Sequence, residues 1–440
     1  MSSLLPESLP FCADEPQNLL HDLPARQMSV FALFGDVGTQ PYVGVAADLR
    51  RRLARLLVAD PAHPRRFQLA ARVRSVAWRP VGSTLEAQAV QFQILLELYG
   101  ERALQRMHLR MPTFVRFHGA NPYPRLSVTT RVQREQSEWL YGPFPSRAAA
   151  ERYSEELLKL FLLRRCEEKL APDPSHPGCV YSEMKKCLAP CFKGCTDERY
   201  GEEAAAVLNF LTTGGQSRLH VLNAARDAAS AQLAFEEAAA LHAQAKQVEW
   251  VRGLAAELVR PLSEMQACIV VPAAQPNAVA LFLFAHGALH GPQMFSTLGM
   301  RIQNEGSGSS SLYAQPLLLE PVPVSAPFSH GQSEANAQVA PRDTRMERLN
   351  ACIQSLKAMN CVTMNAIRRQ GDMALLTRWY YQPAQKRIGE IFFQNEDGRW
   401  PHKAILRSVG RVAGAELSRQ AKLTDATPAA PAIERCSEAD

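Results

Sequence analysis

A chain of 440 residues is long enough for two or three domains, each with its own core. Apolar residues make up 46% and charged residues 21% of it, ordinary for a globular protein, and no apolar run reaches the length of a membrane-spanning helix, which argues against helical membrane spans. The start, MSSLLPESLPFCADEPQ, lacks the basic end and apolar core of a secretory signal, so a cytoplasmic location is expected. A net charge of +6 is mild, but residues 45–80 hold nine arginines against Asp48 and Asp60. That local excess suits a polyanion such as nucleic acid, and it equally suits a solvated helix face.

Residues 1–27 are polar and contain proline, and they are expected to form a flexible leader. SVFALFGDVGTQPYVGV then predicts two short strands joined by a Gly/Asp turn. AADLRRRLARLLV predicts a helix with Asp48 at its start and Leu49, Leu53, Leu56 and Leu57 on one stripe. RSVAWRPVG is a strand. STLEAQAVQFQILLELYGERAL is a helix capped by Ser83 or Thr84, with Glu86 in its first turn. Residues 28–108 thus read as a small mixed sheet with helices. The proline-rich span 109–165 carries β character, then a long helix from Ser146 towards Cys166.

Residues 196–256 read as helical, with TTGGQS as a break, and 257–300 as a β-hairpin turning at His286-Gly287. His286 and His290 flank this turn and read as surface residues. Residues 301–342, with NEGSGSSS, are expected as a flexible linker, 343–420 as an α+β region, and 421–440 as a disordered tail. RWYYQPAQKRIGEIFF mixes aromatics with Arg378, Lys386 and Arg387, and reads as a packed helix–strand corner or a nucleic-acid grip. The fold class is α+β throughout.

Five of the ten cysteines fall between residues 166 and 195, at Cys166, Cys179, Cys187, Cys191 and Cys195. Without a secretory signal a disulfide framework is not expected, and clustering points to a metal or iron–sulfur site. The spacings are 13, 8, 4 and 4, and only the last two are tight enough for zinc knuckles. Four thiolates from irregular loops suit a cubane iron–sulfur cluster; unligated thiols are the alternative. Cys195 is surplus to a four-ligand site.

The run LLRRC…GCVYSEMKKCLAPCFKGCTDERYGEEAAAVLNFLTTG resembles the cysteine region of the UvrC family, the excinuclease subunit of bacterial nucleotide excision repair. It has the family's Arg-x-Cys, Cys-x-Tyr, basic-Cys and Pro-Cys steps, at Cys166, Cys179, Tyr181, Lys186, Cys187, Pro190 and Cys191, followed by Tyr200, Phe210 and Leu211. The resemblance implies a four-iron four-sulfur cluster on Cys166, Cys179, Cys187 and Cys191. RDAASAQLAFEEAAALHAQ is similar to the UVR hairpin through which that family binds UvrB, with Leu233, Phe235, Glu236, Ala238, Ala239 and Leu241 in the signature. The Arg-Asp pair expected next is His242 and Ala243, which removes a charge pair from that contact.

By the same resemblance, residues 28–108 are similar to a GIY-YIG nuclease module. That chemistry uses a tyrosine, an arginine, and a glutamate that holds a divalent metal such as magnesium. Tyr42-Val43-Gly44 supplies one half of the signature and Arg52 the helix arginine. The other half, Gly-x-Tyr, is Ser29-Val30-Phe31, so a phenol is missing. Val45 and Leu56 replace a basic residue and a tyrosine, and the metal-binding glutamate position is Gln91. A neutral amide is a poor replacement for the single carboxylate of a one-metal site. No carboxylate set of the family's second, ribonuclease H-type nuclease is evident after residue 256.

The sequence therefore predicts a cytoplasmic UvrC-like protein that contacts DNA through Arg50, Arg51, Arg52 and Arg55, with an impaired nuclease site and an iron–sulfur segment. The alternatives are an active endonuclease making single-strand incisions with Tyr42 and Arg52, and an iron–sulfur interaction scaffold.

Overall fold

Three four-stranded antiparallel sheets organise the chain. They are seen in a computed structural model that describes residues 3–58, 67–132, 139–298, 341–359, 366–395 and 397–425.

The first sheet contains β1 (Glu7–Pro10), β2 (Ser29–Phe34), β3 (Tyr42–Ala46) and β4 (Ser75–Pro80), in the order β1-β4-β2-β3. Its helices are α1 (Pro16–Asp22), α2 (Leu49–Leu57), α3 (Phe67–Arg72), α4 (Thr84–Tyr99) and α5 (Arg102–Arg106). Strand side chains alternate between faces, and both faces are apolar here. Phe31, Leu33, Val76 and Trp78 pack with Leu19 and Leu20 of α1 and Leu49, Leu53 and Leu57 of α2. Val30, Ala32 and Ala77 pack on the opposite face with Ala87, Val90 and Ile94 of α4.

The span expected to be a flexible leader is structured. β1 pairs with β4, and Phe11, Leu19, Leu20 and Leu23 are buried. Pro16 sits in the first turn of α1, where its missing N–H has no partner to lose.

The second sheet contains β5 (Thr113–Phe117), β6 (Leu126–Thr129), β7 (Leu140–Phe144) and β8 (Arg260–Pro261), in the order β6-β5-β7-β8. Its helices are α6 (Arg147–Leu157), α7 (Val180–Glu183), α8 (Asp197–Thr212), α9 (Gln216–Ala231) and α10 (Phe235–Gly253). Ser146 caps α6 by accepting from the Ala149 amide at 3.2 Å. The helix then ends at Leu157, well short of Cys166, against the expected long helix. Beyond it Phe161 and Leu163 turn into the core, and Arg164 donates to the carbonyls of Tyr123 and Glu168, both at 2.9 Å. These contacts need an extended chain.

The third sheet contains β9 (Gln266–Pro272), β10 (Ala278–Ala285), β11 (Ala288–Ser296) and β12 (Glu390–Phe393), in the order β11-β10-β9-β12. α11 (Pro341–Ala358) and α13 (His402–Asp425) pack on one face and α12 (Ala366–Tyr380) on the other. Cover on both faces explains the nearly continuous apolar runs of β9 and β10. His286 and Gly287 turn the β10–β11 hairpin with φ of 52° and 80°. His290 is buried, not a surface turn residue, because β11 begins at Ala288.

One cluster joins the three sheets: Leu85 and Ala89 of α4, Phe114 and Leu140 of the second sheet, Ile269 and Phe282 of the third, and Met373 and Trp379 of α12. The RWYYQPAQKRIGEIFF stretch is a packed corner. Arg378 donates to the His108 carbonyl at 2.6 Å, the Tyr381 hydroxyl to the Pro143 carbonyl at 2.8 Å, and Arg387 to the Tyr380 carbonyl at 3.0 Å. Among the described residues no helix is long and apolar enough to cross a membrane.

Candidate nucleic-acid interface and thiol site

The α2 helix begins where the Asp48 carboxylate accepts from the Arg51 amide at 3.0 Å. Burial of Leu49, Leu53 and Leu57 against the first sheet fixes its rotation. Arg51 and Arg55 are then exposed, and Arg52 is partly buried at the edge of the same face. Arg51 and Arg52 have no ion pair among the described residues, and Arg55 donates to the Arg51 carbonyl at 3.3 Å. Arg50 points elsewhere. It donates to the His21 carbonyl at 3.0 Å and from Nε to the Leu23 carbonyl at 2.9 Å, so it caps the C-terminal end of α1.

Phe31 and Gly44 are directly opposite across β2 and β3. A Cβ on Gly44 would stand 2.9 Å from the Phe31 ring, so this glycine permits the close approach. Tyr42 lies beside them with its ring 6.0 Å from Phe31, and it is exposed, as is Val45 on the other face of β3. Leu56 packs against the α2 core. Gln91 is partly buried on α4, whose core side packs on the face opposite α2. The nearby Glu86 is buried and accepts from the Gly82 amide at 3.0 Å, while the Ser83 hydroxyl accepts from the Glu86 amide at 3.1 Å. Burial raises the Glu86 carboxyl above its usual range, opposed by the Gly82 N–H and by Arg79. Glu86 closes the first turn of α4.

The cysteine segment is a loop with backbone N–H groups turned towards sulfur. The Ala189 amide donates to Cys187 Sγ at 3.3 Å, and Arg164 Nη1 lies 3.7 Å from Cys166 Sγ. Cys191 sits in the short turn Pro190–Phe192, flanked by Ala189 and Lys193 with φ of 58° and 57°. Burial pushes the Cys187 thiol up to about 11, and the neighbouring thiols of Cys166, Cys179 and Cys191 push the same way. The four cysteines singled out by sequence are therefore electrostatic neighbours. Cys195 stands apart: burial and Asp197 raise its thiol, and it packs on the middle core. Among the described residues, no three His, Cys, Asp or Glu groups converge tightly enough to hold a metal ion.

Arg164 was not assigned a role by sequence, although it opens the Arg-x-Cys step. It is 1% exposed, and no carboxylate pairs with it among the described residues. At the tip between α9 and α10, Leu233 and Phe235 are 72% and 65% exposed, and Glu236, His242 and Ala243 are exposed beside them. Leu241 instead packs on the middle core.

Residues 113–210, which hold three strands of the second sheet (β5, β6 and β7) and the thiol loop, match the family model of the UvrC/Cho excinuclease middle domain. Over these residues the chain is similar to that family. UvrABC system protein C of Yersinia pseudotuberculosis serotype O:1b (strain IP 31758) is 30% identical over 228 residues, 51% of this chain and 37% of the relative. The Alcanivorax borkumensis protein of that name is 26% identical over 239 residues, covering 54% and 39%. That of Cronobacter sakazakii is 29% identical over 228 residues, covering 51% and 37%. The chain thus spans less than two fifths of the length of these curated relatives. No solved structure matches it.

Proposed function

We propose that this UvrC-like chain is a cytoplasmic DNA-binding protein of nucleotide excision repair whose GIY-YIG-like site is impaired for cleavage. The observation that carries this reading is that α2 keeps its arginines while the expected metal position on α4 is an amide. Arg51, Arg52 and Arg55 are on α2, while the expected metal position on α4 is the amide Gln91 and the nearby Glu86 is held by the Gly82 amide. Guanidinium groups bind phosphate without a metal or a base. Exposed Tyr42 and retained Arg52 favour a second reading, an active endonuclease that makes single-strand incisions with magnesium.

The thiol loop supports a four-iron four-sulfur cluster as cofactor, held by Cys166, Cys179, Cys187 and Cys191. Four cysteine thiols on one loop, with an amide donor on Cys187, suit such a group in donor chemistry, although their sulfurs do not converge on a common point in this structure. When bound, the cluster would supply a covalent staple and a one-electron centre; without it the segment is an interaction scaffold. Leu233, Phe235 and Glu236 at the hairpin tip support docking to a UvrB-like partner, with Leu241 fixing the hairpin base.

The test is retention of duplex DNA by the purified chain as salt is raised. A steep loss of affinity with salt is expected, and absence of binding at low salt contradicts the reading. Anaerobically purified chain is expected to carry stoichiometric iron and sulfide; stoichiometric zinc instead contradicts the cluster.

A further inference from the structure

The β5–β6 hairpin carries a second cationic patch, far in sequence from α2. Arg116 is directly opposite Ser127 in the register, and the His118 amide donates to the Arg125 carbonyl at 2.9 Å. Residues two apart on a strand share a face. Arg116, His118, Arg125 and Ser127 therefore occupy one face as a square. Their neighbours Val115, Phe117, Leu126 and Val128 point to the middle core.

All four side chains are partly exposed. The His118 ring is fixed by a 2.8 Å contact between Nε2 and the Ser127 hydroxyl. Arg116 Nε is screened from solvent and has no hydrogen-bond acceptor, and neither Arg116 nor Arg125 forms an ion pair among the described residues. Burial first, and then Arg125, Arg116 and buried Arg164, together bring the His118 pKa down to about 4, with Glu167 opposing. The imidazole is thus neutral near pH 7 and offers hydrogen bonds, not charge. Guanidiniums on one face with no carboxylate in ion-pair contact among the described residues repel one another, and an anion would relieve that repulsion. A guanidinium fork matches two phosphate oxygens, and the bonded Ser127–His118 pair has one further proton, on the hydroxyl or on the ring, to donate to another.

We propose that Arg116, His118, Arg125 and Ser127 form a phosphodiester-binding site, a second nucleic-acid contact on the middle domain separate from α2. The assignment to nucleic acid rests on the DNA-binding reading above; the phosphate chemistry does not.

The experiment compares the full chain with the Arg116→Gln/Arg125→Gln variant, using a DNA duplex and inorganic phosphate as separate probes. Ser127→Ala serves as a milder second variant, and thermal melting checks folding. The double variant is expected to lose about tenfold in duplex affinity at low salt, with a log–log salt slope shallower by about two. Ser127→Ala is expected to lose less than the double variant with an unchanged slope. Should the double variant bind duplex normally but lose inorganic phosphate, the site takes a small phosphate and the nucleic-acid assignment is overturned. Should the parent chain bind phosphate but no duplex, and the variant neither, the phosphate site stands while the DNA reading falls. Unchanged binding of both probes by a folded double variant overturns the site.

Discussion

Asp372 is buried on α12, where its carboxylate accepts from the Leu289 amide at 3.1 Å and lies 3.7 Å from Arg368 Nε. Burial pushes its pKa up to about 7, against the opposing pull of that amide and Arg368. A carboxyl raised in the folded state binds its proton more tightly than in the unfolded chain. Its contribution to stability is therefore complete below about pH 4 and is lost as pH rises through about 7. Asp372→Asn keeps an acceptor for the Leu289 amide and removes the ionisation. It is expected to be more stable than the parent by on the order of 2–3 kcal/mol at pH 8, with the gap closing towards pH 4. Denaturant melts of both proteins across that range check this; parallel stability curves would contradict it. Arg50 and Arg51 show how far residue roles are legible in a basic run. Composition marks both as DNA contacts, but the acceptors of Arg50 are carbonyls 27 and 29 residues upstream, which no local pattern announces.

At the scale of elements, the close approaches sit at glycines. A Cβ on Gly82, between β4 and α4, would stand 2.2 Å from the Ala273 carbonyl carbon and 2.4 Å from the Pro272 carbonyl oxygen. Backbone cannot swing aside, so Gly82→Ala is expected to destabilise the chain by about 3 kcal/mol. Gly201 lies within α8 with nothing within 4 Å of an added Cβ, and Gly201→Ala is expected to stabilise by about 0.5–1 kcal/mol. Opposite shifts of the two melting midpoints check the pair. Periodicity and caps located α2, α4 and the β10–β11 hairpin, since Asp48, Ser83 and His286-Gly287 act locally. They missed α1 and overran the end of α6. Phe11 and Leu23 are ordered by a sheet far along the chain, and the turn after Leu157 is set by core contacts of Phe161 and by Arg164.

At the scale of the whole molecule, α4 belongs to two structures at once. Its Ala87, Val90 and Ile94 face the first sheet, while Leu85 and Ala89 enter the cluster shared by all three sheets. The helix that bears Gln91 is thereby braced by the third sheet and α12, and it packs on the face opposite α2. The order of motifs along the sequence conveys none of this, because the third sheet has no motif of its own. The clustering of the cysteines is plain in the sequence, whereas the patch of Arg116, His118 and Arg125 is not. Its residues are separated in sequence and meet only through strand register. The central claim is that the arginine helix binds DNA without a working metal site beside it. The most direct measurement is conversion of supercoiled plasmid to nicked circles by anaerobically purified chain with magnesium, at concentrations that retain DNA. The account predicts retention with no nicking beyond the Arg52→Ala variant; magnesium-dependent nicking that Arg52→Ala abolishes would contradict it.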